Sequence, residues 1–325
     1  MTLAEDEAFR ARVEQQLEGV ERRLGQVALG ADNPFIAEAS RHVINAGGKR
    51  FRPLLVALTS HLGPQPSDER MELASAVVEL THVASLYHDD VMDEASMRRG
   101  VTSANVAYGN SIAIMVGDWL FSRASSLVTQ LGTEFVRLQA DTFSELVAGQ
   151  IGEMRGSDAG EDPLSHYLDV IAGKTGALIR TSVLFGAMTS HAEPRVLEAL
   201  GRFGMQIGMV FQLSDDLIDI TSTTTGKTPG TDLREHVATL PILLLDASED
   251  PEDEPLKQLL ADDLADDREL ARALSMLRAS HVIEEARDEI MARAEAARAE
   301  LAILPQGPAR RALDRVCDEV VSRSH

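Results

Sequence analysis

A single cysteine, Cys317, is all the chain contains, so no intrachain disulfide can form and a reducing compartment, the cytoplasm, is the expected setting. Aromatic residues contribute only 4% of the sequence while Ala, Leu, Glu and Arg abound, a balance that disfavours sheets and favours helices. Positive charge is scarce. With 31 Lys and Arg against 52 Asp and Glu, the formal charge of −21 argues against general nucleic-acid binding, which requires a broad basic surface, and leaves room for a local basic pocket. No uninterrupted apolar run reaches the length of a membrane span, and the opening residues, MTLAEDEAFRARVEQ, carry early acids where a secretory leader would be apolar. Integral membrane association is therefore not expected. Nor does any Pro/Gly/Ser-rich linker or shift in composition divide the 325 residues, so one all-α domain over residues 1–325 is expected.

What the sequence does contain is concentrated in Glu79 to Gly100, ELTHVASLYHDDVMDEASMRRG. An apolar run ends in Asp89, Asp90 and Asp93, with Arg98 and Arg99 one to two turns further on. At 100° per residue Asp89 and Asp93 share a helical face, with Asp90 beside them. Three crowded carboxylates repel one another unless they share a cation. Mg²⁺ is the natural choice, because it takes oxygen ligands and leaves positions for substrate phosphates. In so acidic a chain one such cluster would ordinarily be a solvated helix face. A second copy, Asp215, Asp216 and Asp219 in FQLSDDLIDI, alters that reading. Asp is a poor helix former, and carboxylates among Phe, Leu and Ile are costly unless paired or coordinated.

The remaining periodicity predicts helices throughout. Phe9, Val13, Leu17, Val20 and Leu24 mark one over residues 4–30; a second starts at Asn33-Pro34 and ends at Gly47-Gly48. Lys49, Arg50 and Arg52 follow those glycines, so cations project where the backbone can turn sharply. Further helices are expected over about 53–62, 67–94, 110–131, 134–155, 163–189, 193–221 and 280–302. The polar, Gly-rich stretch from Thr221 to Thr239 reads as a loop, and Ala247 to Pro255 as an acidic break.

GGKRFRP at 47–53, His82, the two aspartate motifs, RRG at 98–100, Lys174-Thr175, Gln212 and GKTPGTDL at 226–233 occur in the order and approximate spacing of the trans-prenyl diphosphate synthases, which the chain resembles from about Asn45 to Pro241. The resemblance implies a helical bundle of the isoprenoid synthase type around a central cavity, with the two aspartate motifs facing each other across it. Asp89, Asp90, Asp93, Asp215, Asp216 and Asp219 would then hold Mg²⁺ against an allylic diphosphate. Arg98, Lys174, Thr175, Gln212 and Lys227 would add donors to that diphosphate, with Lys174 counted among the catalytic residues. Lys49, Arg52, His82 and Arg99 would hold isopentenyl diphosphate, while Arg50 is left out of that set, a solvated neighbour being its simpler reading. A homodimer is expected by resemblance alone.

Relatives often carry Gly-Lys where this chain has His236-Val237, which leaves one diphosphate contact and the closure of that loop open. Long-chain members also lack that lysine. Short-chain members commonly place a large aromatic four or five residues before the first motif; here those positions are Ser85 and Ala84, with Leu80, Thr81 and Val77 beneath. None is bulky enough to floor a pocket, so the resemblance is to the long-chain type, making products of roughly C30 to C50, each helical turn moving such a floor by only ~5 Å. A plain packing role for Ala84 is the alternative, and geranylgeranyl or farnesyl diphosphate would then be the product. A class I terpene cyclase has no use for Lys49, Arg52, His82 and Arg99, and a non-catalytic subunit of a heteromeric synthase would have eroded metal motifs.

Overall fold

The structure is a computed structural model that describes residues 2–30, 33–221, 230–262, 264 and 266–322. Among them the only strands are β1 (Met97–Arg98) and β2 (Val101–Thr102), a short antiparallel hairpin. Everything else regular is helical, as the composition predicts. The described residues gather into two compact units, the first comprising residues up to Phe143 with Leu178–Gly201 and Ile303–Leu313, the second Ser144–Ala177, Arg202–Ala302 and the chain beyond Asp314.

In the first unit, α1 (Thr2–Leu29), α2 (Pro34–Asn45), α3 (Phe51–Thr59) and α6 (Asn110–Val128) surround α4 (Asp68–Met92). Helix α4 starts where Ser67 accepts a hydrogen bond from Arg70 N at 3.4 Å and where Asp68 and Glu69 meet the positive end of the helix dipole. From Met71 to Tyr87 it is buried on nearly every side, which is why its apolar residues show no single stripe. Three long-range contacts hold it near its two ends. Asp68 receives Arg12 at 2.5 Å and Gln16 at 2.8 Å from α1, and the buried Tyr87 donates its hydroxyl to Ala39 O at 2.5 Å in α2. Gly117 allows α6 to lie close against α4, since a Cβ there would fall 2.4 Å from His88 Nε2 and 3.2 Å from Ala84 O. A short α5 (Ala104–Tyr108) and the hairpin, neither predicted from the sequence, follow α4 directly.

The second unit holds most of α7 (Thr133–Arg155), α8 (Pro163–Ile171), the later turns of α10 (Pro194–Thr221), and α11 (Thr231–Arg234), α12 (Leu240–Ala247), α13 (Glu254–Ala261), α14 (Asp267–Ala279) and α15 (Val282–Glu300). Helix α8 opens on an Asp162 cap, which accepts from Ser165 N at 3.0 Å, followed by Pro163 in the position where its missing N–H costs nothing. Helix α10 closes with Arg278 Nε donating to Ile220 O at 2.6 Å. Arg298 of α15 reaches Asp314 Oδ1 at 2.5 Å and also binds Asp318, both on α16 (Pro308–Ser322). The helix predicted over 163–189 is interrupted: residues Ala172–Gly176 form a π-helical turn before α9 (Ala177–Thr189).

Candidate active site

The first aspartate motif sits at the end of α4, which stops one residue earlier than Asp93. Asp93 is the C-cap and donates its N–H to Asp89 O at 2.8 Å, so the two remain one turn apart. Exposure grades sharply across the motif: Asp93 is exposed, Asp89 half-buried and Asp90 fully buried. Arg98, on β1 rather than on a continuation of the helix, donates from Nε to Asp90 Oδ1 at 2.6 Å. Asp90 Oδ2 is buried and accepts no hydrogen bond. A carboxylate oxygen in that condition suits a hard cation, which takes oxygen ligands.

The second motif lies in the last turns of α10. Asp216 is buried, and both of its oxygens are occupied: Tyr167 donates to Oδ2 at 2.5 Å and Gln212 Nε2 to Oδ1 at 2.8 Å. Gln212 in turn accepts from Thr175 Oγ1 at 2.9 Å. Burial lifts the Asp216 carboxyl to about 6; the hydrogen bonds from Tyr167 and Gln212 oppose that rise, and the charges of Asp215 and Asp219 add to it. Asp219 receives the backbone N–H groups of Gly230 on its carbonyl, at 3.0 Å, and of Asp232 on Oδ2, at 3.2 Å. Tyr167 was not anticipated. Nothing in its sequence neighbourhood marks it, because its partner lies 49 residues away.

Lys174 and Thr175 stand in the π-helical turn. The turn is pressed against α7: a Cβ on Gly149 would lie 2.6 Å from Lys174 N, so only glycine admits the approach. Lys174 Nζ pairs with Glu153 of α7, a second residue the motifs did not single out. Lys227 lies outside the described residues.

The basic set belongs to the first unit. Gly47 and Gly48 take φ of 86° and 149°, and Arg50 follows at 48°. Arg50 is not a solvated neighbour. Its guanidinium binds Glu21, the buried Glu79 at 2.8 Å and Ile44 O at 3.0 Å, which commits it to the scaffold. Arg99, at φ 52°, donates to Gly47 O. Lys49 is exposed and Arg52 half-buried. His82, three residues after Glu79 on α4, is held well below the usual histidine range by burial and by the charges of Arg52, Arg99, Arg98 and Arg50. At neutral pH it is therefore an uncharged hydrogen-bonding group.

Of the chain-length positions, Ala84, Leu80 and Val77 are completely buried and Thr81 nearly so, its hydroxyl bonded to Val77 O at 2.8 Å; Ser85 is half-buried and bonds His82 O at 2.8 Å. No group of three His, Cys, Asp or Glu side chains converges as a ready metal site among the described residues. No helix among the described residues is long and apolar enough to cross a membrane.

Guanidinium groups gathered in the first unit are donors of the kind that bind anions, and each unit carries an acidic motif whose oxygens are of the kind that take divalent cations. The polyprenyl synthetase family model matches residues 33–277, and the chain belongs to that family. It is 45% identical over 98% of its length, and 95% of the relative's, to nonaprenyl diphosphate synthase of Mycobacterium tuberculosis. Dimethylallyltranstransferase of the same organism is 36% identical over 98% of this chain and 97% of its own. The crystal structure of geranylgeranyl pyrophosphate synthase from Corynebacterium glutamicum, complexed with calcium and isoprenyl diphosphate, superposes with a TM-score of 0.87 at 42% identity, covering 97% of this chain and 96% of that one.

Proposed function

We propose that this protein condenses isopentenyl diphosphate head-to-tail with an allylic diphosphate to make a long-chain all-trans polyprenyl diphosphate. The observation that carries the reading is the near full-length likeness to a nonaprenyl diphosphate synthase, joined to both aspartate motifs being intact on buried helices. A single family model running from 33 to 277 through both compact units supports one catalytic module over the whole chain.

Asp89, Asp90, Asp93, Asp215, Asp216 and Asp219 would hold Mg²⁺; the unpartnered buried oxygen of Asp90 and the all-carboxylate donor sets fit that ion, as does the calcium in the C. glutamicum complex. When bound it neutralises charge on the leaving diphosphate. Arg98, Lys174, Thr175, Gln212 and Lys227 donate to the allylic diphosphate, stabilising the charge that develops as its C–O bond ionises. Lys49, Arg52 and Arg99, with neutral His82 as a hydrogen-bond partner, hold isopentenyl diphosphate so that its double bond meets the allylic cation without a bimolecular search. Loss of a proton to the departed diphosphate then regenerates an allylic product five carbons longer. For this, Lys174 exchanges its Glu153 partner for substrate.

A shorter product is favoured by one observation: Ala84 and Leu80 are sealed by protein, with Ala84 against α6. Incubation with Mg²⁺, labelled isopentenyl diphosphate and primers of several lengths, followed by sizing of the products, decides between them; products no longer than C20 would overturn the long-chain reading.

A homodimer is supported by an apolar stripe on α7, where Phe143, Val147, Ile151 and Met154 are exposed at helical spacing, Met154 by 68%. Gel filtration at several concentrations tests it. A cytoplasmic location is supported by a composition with a single cysteine, Cys317.

A further inference from the structure

Two arginines of the first unit hold a left-handed backbone that residues with a side chain disfavour, and both turn toward one buried carboxylate. Arg50 has φ 48° and Arg99 φ 52°. Such conformations persist only where their surroundings over-determine them. The common surrounding is Glu79, 2% exposed, whose Oε1 lies 2.8 Å from Arg50 Nη1 and 4.0 Å from Arg99 Nη2. Arg50 also binds Glu21 and Ile44 O. Arg99 also binds Gly47 O, and its guanidinium carbon would lie 2.9 Å from a Cβ on Gly48. One carboxylate on α4 thus anchors the 47–50 loop and the hairpin turn at 98–100 together.

We propose that Glu79 is a positioning residue for the isopentenyl diphosphate site, fixing Arg99 and the Gly47–Arg50 loop in the arrangement that receives the diphosphate. This rests on the assignment of Lys49, Arg52, His82 and Arg99 to that substrate. Two effects oppose each other when Glu79 is neutralised. The local potential becomes more positive, which by Coulomb attraction alone tightens anion binding. Against that, two strained arginines lose their shared buried anchor. The second effect dominates, because a diphosphate needs donors in fixed directions and a loose guanidinium must be ordered again at each binding event.

Steady-state kinetics of the full chain with Mg²⁺ and both substrates, for Glu79→Gln, Glu79→Asp and Arg52→Ala, test this. For Glu79→Gln the KM for isopentenyl diphosphate should rise ~10-fold, while kcat and the primer KM stay within about 2-fold. Glu79→Asp, which keeps the charge but shortens its reach, should show a smaller rise in the same parameter. An unchanged or lowered isopentenyl KM in Glu79→Gln overturns the proposal. If that variant does not fold, Glu79→Asp decides: an unchanged isopentenyl KM there overturns it equally. Arg52→Ala separates the substrate assignment from the role of Glu79. If it leaves the isopentenyl KM untouched, the substrate assignment itself fails; if it raises that KM and Glu79→Gln does not, only the positioning role of Glu79 falls.

Discussion

Tyr167 donates its phenolic hydroxyl to Asp216 Oδ2 at 2.5 Å, joining α8 to the second aspartate motif through one hydrogen bond. Because Gln212 occupies the other oxygen, Asp216 is held from both sides. Tyr167→Phe removes only the hydroxyl. Turnover should fall by ~10-fold, the rate equivalent of losing one charge-assisted hydrogen bond, with the melting temperature within a few degrees of the parent. Unaltered kcat in a folded variant would show that Gln212 alone suffices.

The aspartates themselves should matter far more. Asp89→Ala or Asp215→Ala is expected to cut turnover by at least ~10²-fold with the helical circular dichroism spectrum preserved. Chelation of divalent ions should abolish activity, and added Mg²⁺ restore it. Near-normal turnover in either variant would remove the metal reading of that motif.

His82 supplies a prediction in pH. Burial and four arginines keep its folded-state pKa below that of the unfolded chain, so between those two values the unfolded chain binds the extra proton. Stability from this source is complete above about pH 6.5, the ordinary histidine value, and is lost as pH falls below it. Urea denaturation at pH 7 and pH 5 should show a smaller acid loss in His82→Gln than in the parent. Equal losses would mean that His82 protonates freely in the folded state. In the same variant, as in Arg52→Ala, the isopentenyl KM should rise more than the primer KM.

Ala84→Phe tests the floor of the product site. If the growing tail runs down α4, synthesis should stop at about C15 to C20, because the ring stands only ~1–2 turns below Asp89. The tight approach of Ala84 O to Gly117 makes the substitution costly in this fold, by ~1–3 kcal/mol, so a lowered melting temperature should accompany it. The parent's product distribution from a folded, active variant would send the tail along another route.

Much of the architecture was legible because local signals and burial agree. Ser67-Asp68-Glu69 opens α4 and an apolar run fills it; Asn33-Pro34 and Asp162-Pro163 open α2 and α8. The acidic stretch at Pro251–Asp253 is a tight 3-10 turn, in line with the break expected there. What escaped reading depends on partners distant in sequence. Arg50 reads as a solvated cation until Glu79, 29 residues on, takes its guanidinium. Tyr167 and Glu153 show no periodic or motif signal, since each matters only through a residue on another helix. The hairpin that carries Arg98 is too short for alternation to reveal, each strand having two residues.

The π-helical turn at Ala172–Gly176 has a bearing on how this region tolerates length changes. A π turn takes up one residue more than the α-helical turn it replaces, so Ala172–Gly176 carries a residue that a regular helix has no place for. Removing a single residue there, at Gly173, would let the turn close up as regular α-helix and redistribute the side chains inside it. Thr175 would swing away from Gln212, and the close seat against Gly149 would be lost. A change that looks like the repair of an irregularity would thus disconnect Thr175 from the second motif and Lys174 from its seat on α7, which makes the extra residue a spacer whose count matters more than its identity.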